Sequence, residues 1–384
     1  MGTEIKKGIY WVGAVDWDLK EFHSFSVDGT TYNAYLILDE KNVLIDTVKT
    51  SHYGKMMEHI REIIDPTKID YIVSNHSEPD HSGSIYRFHK ETGARIIASE
   101  VGADNLRALY GDANIRVVRD GEKMKIGKRT LSFHMIPMLH WPDSMVCHTS
   151  GVLFSSDAFG QHLPTKERFD SQVKLDKALH EAEEYFANIL MPYSSLINPA
   201  LAKLGKLKLE VIAPSHGIMW KKHVVDIVKK YAEMGRGDTE ERAVIVYDTM
   251  WGATEKMADA IARGMKKSLP VETFDLGIDS HSEIMRRVLG AKAVIVGSPT
   301  QNNLPLPPVM EFLYYTMGLR PKNKVGAAFG SYGWGGGAVK IVDEHLKKAG
   351  VNSLGTIQMK FTPDRKKCEE FGTELGKKII GGKK

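Results

Sequence analysis

Cysteine is nearly absent. The 384 residues contain two, Cys147 and Cys368, far apart and in no CxxC spacing. That excludes a disulfide framework, a zinc ribbon and a thiolate-held iron site, so any metal must be bound by nitrogen and oxygen. No apolar run approaches the roughly 18 residues that a membrane-spanning helix needs. The N-terminal "MGTEIKKGIYWVG" has no signal-peptide apolar segment. The expectation is a cytoplasmic protein with no membrane partner. Charge of one sign is lacking too: 52 basic against 48 acidic residues leave a formal charge of +4. Nothing in that balance points to nucleic acid, and the terminal Lys383 and Lys384 are read as solvated. Two nucleotide fingerprints, GxGxxG and a GK[ST] phosphate loop, are missing as well.

What is present divides in two. The length suits two domains, each with its own core. The first 50 residues read as antiparallel strands, "IYWVGAV" and then "TYNAYLILDEKNVLIDTV" with a turn at Asp39 to Asn42. From Ser51 to about Ile212 helices and strands interleave, which predicts a layered α/β domain. The charged, glycine-containing "GRGDTEER" is the best linker, so the domains are expected at 1–237 and 238–384. After it, five strands alternate with five helices, the pattern of a doubly wound parallel sheet that binds ligands beyond the carboxyl ends of its strands.

The stretch "SNHSEPDHSGS" places His76, Glu78, Asp80 and His81 directly after the apolar run Ile69 to Val73. Any one of them fits a polar loop before a helix that Asp80 or Ser82 would cap. Four together favour a metal. The same rule then recurs: "TLSFHMIPML" ends in His140, "GVLFSS" in Asp157 and "LEVIAPS" in His216. If these strands form a parallel layer, their ends share one edge and seven side chains meet there. Four imidazoles and three carboxylates are too many for one ion and suit two, with one carboxylate shared. Such donors accept iron, manganese or zinc.

Metallo-β-lactamase-like domains carry HxHxDH, and "HSEPDH" has Glu78 in place of the second histidine. With single His, Asp and His ligands downstream and a doubly wound sheet behind, the chain resembles the flavodiiron proteins (A-type flavoproteins) over nearly its whole length. The resemblance implies an αββα metallo-β-lactamase-like sandwich followed by a flavodoxin-like five-stranded parallel sheet. It also implies that His76, Glu78 and His140 bind one iron, that Asp80, His81 and His216 bind the other, and that Asp157 bridges them. A glutamate in place of a neutral imidazole adds negative charge, which stabilises oxidised ions and suits a redox site.

In the second domain, "AVIVYD" runs into a loop holding Thr249, Met250, Trp251, Gly252, Ala253 and Thr254 at a helix start, an anion site suited to the phosphate of FMN. "GSPTQNNLPLPP" offers Pro299, Thr300, Gln301, Asn302 and Asn303 beside the flavin ring. "GSYGWGGGA" offers Ser331, Tyr332, Gly333, Trp334, Gly335 and Gly336, with glycines for close approach and aromatics for stacking. Tyr193, His23 and Trp141 are weaker candidates for the pocket over the metals.

The mechanism this implies passes electrons from FMN to the irons, reducing dioxygen to water, nitric oxide to nitrous oxide, or both. No paired-cysteine rubredoxin segment is fused to the chain, so a separate donor is expected, rubredoxin or a reduced deazaflavin or nicotinamide coenzyme. The resemblance further implies a head-to-tail homodimer or a dimer of dimers. Two rivals remain at this point: a two-zinc hydrolase with a flavodoxin-like accessory domain, and a plain electron carrier.

Overall fold

The computed structural model describes residues 2–381; Lys383 and Lys384 lie outside them. The chain packs as two units. One runs to Tyr185 and resumes over Ser195–Ala232; the other joins Phe186–Ser194 to the residues from Glu233 onward. The segment 186–194, expected within the first domain, therefore packs with the second. There Asn188 accepts a hydrogen bond from the Tyr315 hydroxyl (2.8 Å) and donates to the Ser282 carbonyl (3.2 Å).

Two sheets form the first unit. A seven-stranded sheet is ordered Thr3–Lys6, Ile9–Trp11, Tyr35–Ile37, Asn42–Ile45, Ile69–Val73, Arg95–Ala98, Ile115–Val117, antiparallel in its first pairings and parallel in its last three. Alternation along these strands builds two apolar layers. Trp11, Tyr35, Ile45, Val73 and Ile97 face the second sheet and meet Phe133, Cys147, Phe154 and Val211. Leu36, Leu44, Ile72 and Ile96 face the other way, against Met56, Ile60, Ile85, Phe88 and Leu106 of the covering helices.

The second sheet, Lys123–Lys125, Thr130–Met135, Met145–Thr149, Val152–Phe154 and Val211–Ala213, corrects the expectation of a parallel layer. Its first three pairings are antiparallel and only the last is parallel. Thr130–Met135, Val152–Phe154 and Val211–Ala213 nonetheless all run the same way, because the antiparallel Met145–Thr149 separates the first from the second. Those three carry His140, Asp157 and His216 at their ends, so the shared edge survives the mixed sheet.

The second unit holds five parallel strands ordered Val271–Asp275, Glu240–Tyr247, Ala291–Gly297, Val325–Tyr332, Asn352–Lys360. That is the order 2-1-3-4-5, whose switch point lies between strands one and three. The central strands are buried along their whole apolar runs, as a sheet covered on both faces requires. Among the described residues no helix is long and apolar enough to cross a membrane.

Candidate functional site

Beyond Ile69–Val73 the chain leaves the sheet, bends at Asn75 and again at Glu78, and brings His76 Nε2 within 3.1 Å of Glu78 Oε2. Pro79 then opens a single helical turn, Pro79–Ser82, at the first helical position, where its missing N–H costs nothing. That turn separates Asp80 and His81 from His76 and Glu78. Neither Asp80 nor Ser82 caps the next helix. Ser84 occupies that position, and the Ser82 hydroxyl donates to the Ser77 carbonyl at 2.7 Å.

All seven candidate ligands are buried, and they form two groups, His76, Glu78, His140 and Asp157 in one and Asp80, His81 and His216 in the other, with donor atoms within 4.8 Å in each. Nε2 of His76 and of His140 each lie 3.1 Å from Glu78 Oε2. Nε2 of His81 and of His216 lie 3.3 and 3.2 Å from Asp80 Oδ2. Asp157 divides its oxygens: Oδ2 is 3.2 Å from His140 and 3.5 Å from His76, and Oδ1 is 3.1 Å from His81 and 3.6 Å from His216.

Burial opposes charge on His76, His81, His140, Glu78 and Asp157, and mutual contact reverses it. Burial lowers the His76 imidazole, but hydrogen bonds with Asp143 and Glu78 and the charge of Asp157 hold it at about 10. His140, lowered by burial, is raised to about 10 by its contacts with Asp157 and Glu78. His81 is carried to about 9 against burial by the charges of Asp80 and Asp157. Burial raises Glu78 and Asp157, yet the surrounding imidazoles hold both carboxyls far below the usual range.

Hydrogen bonding does not account for the whole cluster. Both oxygens of Asp80 and of Asp157, and Nε2 of His81 and of His216, are buried without a hydrogen-bond partner. They stand 3.1 to 3.6 Å apart but do not aim at one another. Buried polar atoms are almost always paired, and lone pairs that converge on common points surround a cation. The donor set and its division fit two ions, with Asp157 spanning them.

Residues around the seven fix their orientation. Asp143 faces Nδ1 of His76, and His216 donates from Nδ1 to the Thr31 carbonyl at 2.7 Å. Asp46 accepts from the backbone and side chain of Asn75 at 2.7 and 3.0 Å; burial pushes its carboxyl up to about 6 against the charge of His81 and the Asn75 bonds. His162, fully buried, hydrogen-bonds Thr30 Oγ1 at 2.8 Å with its ring 5.0 Å from that of His216. Sequence reading missed Asp46, Asp143 and His162. Asp46 follows "NVLI" by the rule that found the ligands and was open to detection.

Of the pocket candidates, His23 occupies a left-handed two-residue turn with Ser24, and its Nε2 lies 2.7 Å from Glu78 Oε1. Trp141 sets its ring edge-to-face on His76 at 4.9 Å. Tyr193 ends the short turn Met191–Tyr193 in the segment that packs with the second unit.

In the second unit the three candidate loops converge at the switch point around a cavity of about 280 Å³. Thr249, Met250, Trp251 and Ala253 line it from the first loop, Pro299 and Thr300 from the second, and Ser331, Tyr332 and Gly333 from the third. Lys256 and Phe361 to Pro363 line it too and were not foreseen. The helix Ala253–Met265 begins with Gly252 at φ 73° and no side-chain cap, so its first N–H groups are open to an anion. Thr249 Oγ1 is buried beside them without a partner. This is a fit for a phosphate.

The remaining candidates do other work. Thr254 is buried and turns inward to Ser331 Oγ at 3.0 Å, tying the first loop to the third. Gln301 and Leu304 exchange backbone hydrogen bonds at 2.9 Å around Asn302 and Asn303, a left-handed turn that leaves these side chains off the cavity wall. Trp334 is 96% exposed, and Gly335 and Gly336 pack against Asn303 and Gln358.

A two-sheet sandwich with a His and carboxylate cluster at its strand ends, followed by a 2-1-3-4-5 sheet with an anion cradle, defines a metallo-β-lactamase-like domain joined to a flavodoxin-like one. The family models agree: ODP family beta lactamase matches residues 30–217 and flavodoxin matches residues 245–372. Nitric oxide reductase of Moorella thermoacetica is 44% identical, over 98% of each chain. The structure of rubredoxin oxygen:oxidoreductase from Desulfovibrio gigas superposes with a TM-score of 0.96 at 37% identity, covering 99% of each chain. That of the flavodiiron protein from Giardia intestinalis gives 0.95 at 32% identity, covering 99% of this chain and 97% of that one. The chain belongs to the flavodiiron protein family, which places it with oxidoreductases rather than with hydrolases of the same fold.

Proposed function

We propose that the chain is a flavodiiron oxidoreductase that reduces dioxygen to water, nitric oxide to nitrous oxide, or both. Residues 1–237 form the di-iron domain and 238–384 the FMN domain, with the segment 186–194 and the residues from Glu233 packing on the FMN side. His76, Glu78 and His140 hold one iron, Asp80, His81 and His216 the other, and Asp157 bridges them. The Thr249 to Thr254 loop would hold the FMN phosphate, and the loops Pro299 to Asn303 and Ser331 to Gly336 would flank the ring, chiefly through Pro299, Thr300 and Ser331 to Gly333, which line the cavity. FMN and two irons together supply four electrons, the number that converts dioxygen fully to water; two suffice to turn two nitric oxide molecules into nitrous oxide and water.

The protein's own contribution is electrostatic. Three buried carboxylates offset the charge of two cations, and Glu78, where the related hydrolases carry histidine, favours the oxidised ions. His23 stands between solvent and Glu78, 39% exposed, placed to hold or pass a proton. Electrons come from a separate cytoplasmic donor, rubredoxin or a reduced deazaflavin or nicotinamide coenzyme, and the working form is a head-to-tail homodimer or a dimer of such dimers.

The observation that carries this reading is the set of buried, unpartnered oxygens and nitrogens on Asp80, Asp157, His81 and His216. Elemental and flavin analysis of the purified protein tests it, followed by the rates at which the reduced protein consumes dioxygen and nitric oxide. Two irons, one FMN and rapid consumption of either gas are expected. Two zinc ions without flavin would restore the hydrolase, and no consumption would restore the electron carrier.

A further inference from the structure

We infer that Asp143 is a positioning residue that fixes which nitrogen His76 presents to its metal and raises the electron density that nitrogen donates. The inference rests on the assignment of His76 as an iron ligand. His76 has two ring nitrogens in different surroundings. Nε2 faces the cluster, 3.1 Å from Glu78 Oε2 and 3.5 Å from Asp157 Oδ2. Nδ1 faces away from it, 3.4 Å from Asp143 Oδ1. A carboxylate only accepts, so Nδ1 must carry the proton, and Nε2 is left with its lone pair toward the metal.

Asp143 is itself held at two points besides His76. Its Oδ2 accepts from the Ser77 backbone N–H at 2.7 Å, on the loop that carries His76 and Glu78. Its carbonyl accepts from the Ser99 hydroxyl at 2.9 Å, and that hydroxyl caps the helix Glu100–Tyr110 through the Gly102 N–H at 3.0 Å. Asp143 is 3% exposed. A rigid, desolvated carboxylate thus backs one ligand imidazole.

The two ligand groups are unequal in this respect. His216 leans on a neutral carbonyl, that of Thr31, and His81 Nδ1 has no partner. Among the described residues, His76 is the one ligand histidine seen to donate to a carboxylate outside the ligand set. The ion it holds is therefore backed by one more hydrogen-bonded carboxylate than its ligands alone supply, and its oxidised state is favoured.

Asp143→Asn separates positioning from packing. The amide has the same shape, but one of its arms is now a donor. If its oxygen keeps Ser77, its NH₂ confronts His76 Nδ1 and drives the imidazole to the tautomer with Nε2–H, which cannot ligate. If it flips, the Ser77 N–H faces a donor. Iron titration of the metal-depleted full-length variant is expected to show one of two irons bound about ten- to a hundredfold more weakly, with the other and FMN unchanged. The first reduction potential of the reloaded variant should move upward. Two irons held as tightly as in the wild type, at the same potentials, would overturn the inference.

A second measurement needs no variant. In the zinc-loaded wild type with ¹⁵N-labelled histidine, His76 should show a protonated Nδ1 and a metal-bound Nε2, and the reverse pattern would overturn the inference. If the wild type binds no pair of metals at all, the ligand assignment falls instead, which the titration of the unaltered protein reveals first.

Discussion

Glu78 Oε1 lies 2.7 Å from Nε2 of His23, while Glu78 Oε2 faces His76 and His140. One carboxylate therefore joins the ligand cluster to a side chain that reaches solvent. Replacing His23 by alanine removes a charge-assisted bond at a half-exposed position, where about 1 kcal/mol, or about fivefold in rate, is the expected loss. His23→Ala should lower turnover by that order with iron and flavin contents unaltered. Steady-state gas consumption beside metal analysis checks it, and loss of iron would show that His23 holds Glu78 in place rather than serving protons.

The raised imidazoles make metal uptake a proton exchange. The folded values of His76, His140 and His81, about 10, 10 and 9, lie above the ordinary 6.5. In the metal-free protein their contribution to stability is fully present below about pH 6.5 and is lost as pH rises through 9 to 10. Glu78 and Asp157 behave oppositely, contributing above their ordinary values and losing it only in strong acid. At pH 7 the three imidazoles are protonated, and a metal must displace those protons. Loading the metal-free protein at pH 7 in weak buffer should release about three protons per two ions, and apparent affinity should climb with pH up to about 10. Uptake without proton release would mean that the protons reside elsewhere.

The two threonines of the phosphate loop should behave differently. Thr254 makes a buried bond to Ser331, whereas the Thr249 hydroxyl is buried with no partner. Thr254→Val should cost the flavin-free protein about 1 kcal/mol and weaken flavin retention through loop position. Thr249→Val should leave the flavin-free protein as stable or slightly more so, because an unsatisfied polar group is removed, and weaken flavin retention directly. Iron should be unaffected in both. His81→Ala gives the converse, with iron lost from one group and flavin kept. Thermal unfolding with and without added FMN distinguishes the cases.

How much of this could be read in advance depended on whether a feature was local. The five strands of the second unit announced themselves as short apolar runs between helical periods, and that alternation implied a parallel, doubly wound sheet, whereas the order 2-1-3-4-5 came only from the pairing. The seven clustered residues were legible because each follows an apolar run directly. Asp143 was not, since it follows no strand and meets His76 across 67 residues, a contact no periodicity reports. Strand direction in the second sheet was illegible for the same reason: "SMVCHTS" looks like its neighbours, and only pairing shows that Met145–Thr149 runs against them. Thr254 was read as facing a ligand because its place in the loop was visible and its turn toward Ser331 was not.

Lys324 offers a test of the second unit alone. Its ammonium is buried at the start of Val325–Tyr332 and donates to the carbonyls of Leu289 and Ala291 at 2.8 and 2.7 Å, at the end of helix His281–Gly290. Burial, with Arg242 and Lys292 nearby, pushes it down to about 7 from 10.5. A lowered folded value means that the native state binds this proton less tightly than the unfolded chain. The penalty is fully present below about pH 7 and lifts as pH rises toward 10.5, so stability should increase across that window, by up to about 5 kcal/mol from this group. Lys324→Met should flatten the rise. It also leaves two carbonyls without a donor, at a cost of about 1 to 3 kcal/mol each that does not vary with pH. Urea unfolding followed at several pH values between 7 and 10 separates the two effects, and an equal pH slope in wild type and variant would show that Lys324 keeps its proton throughout.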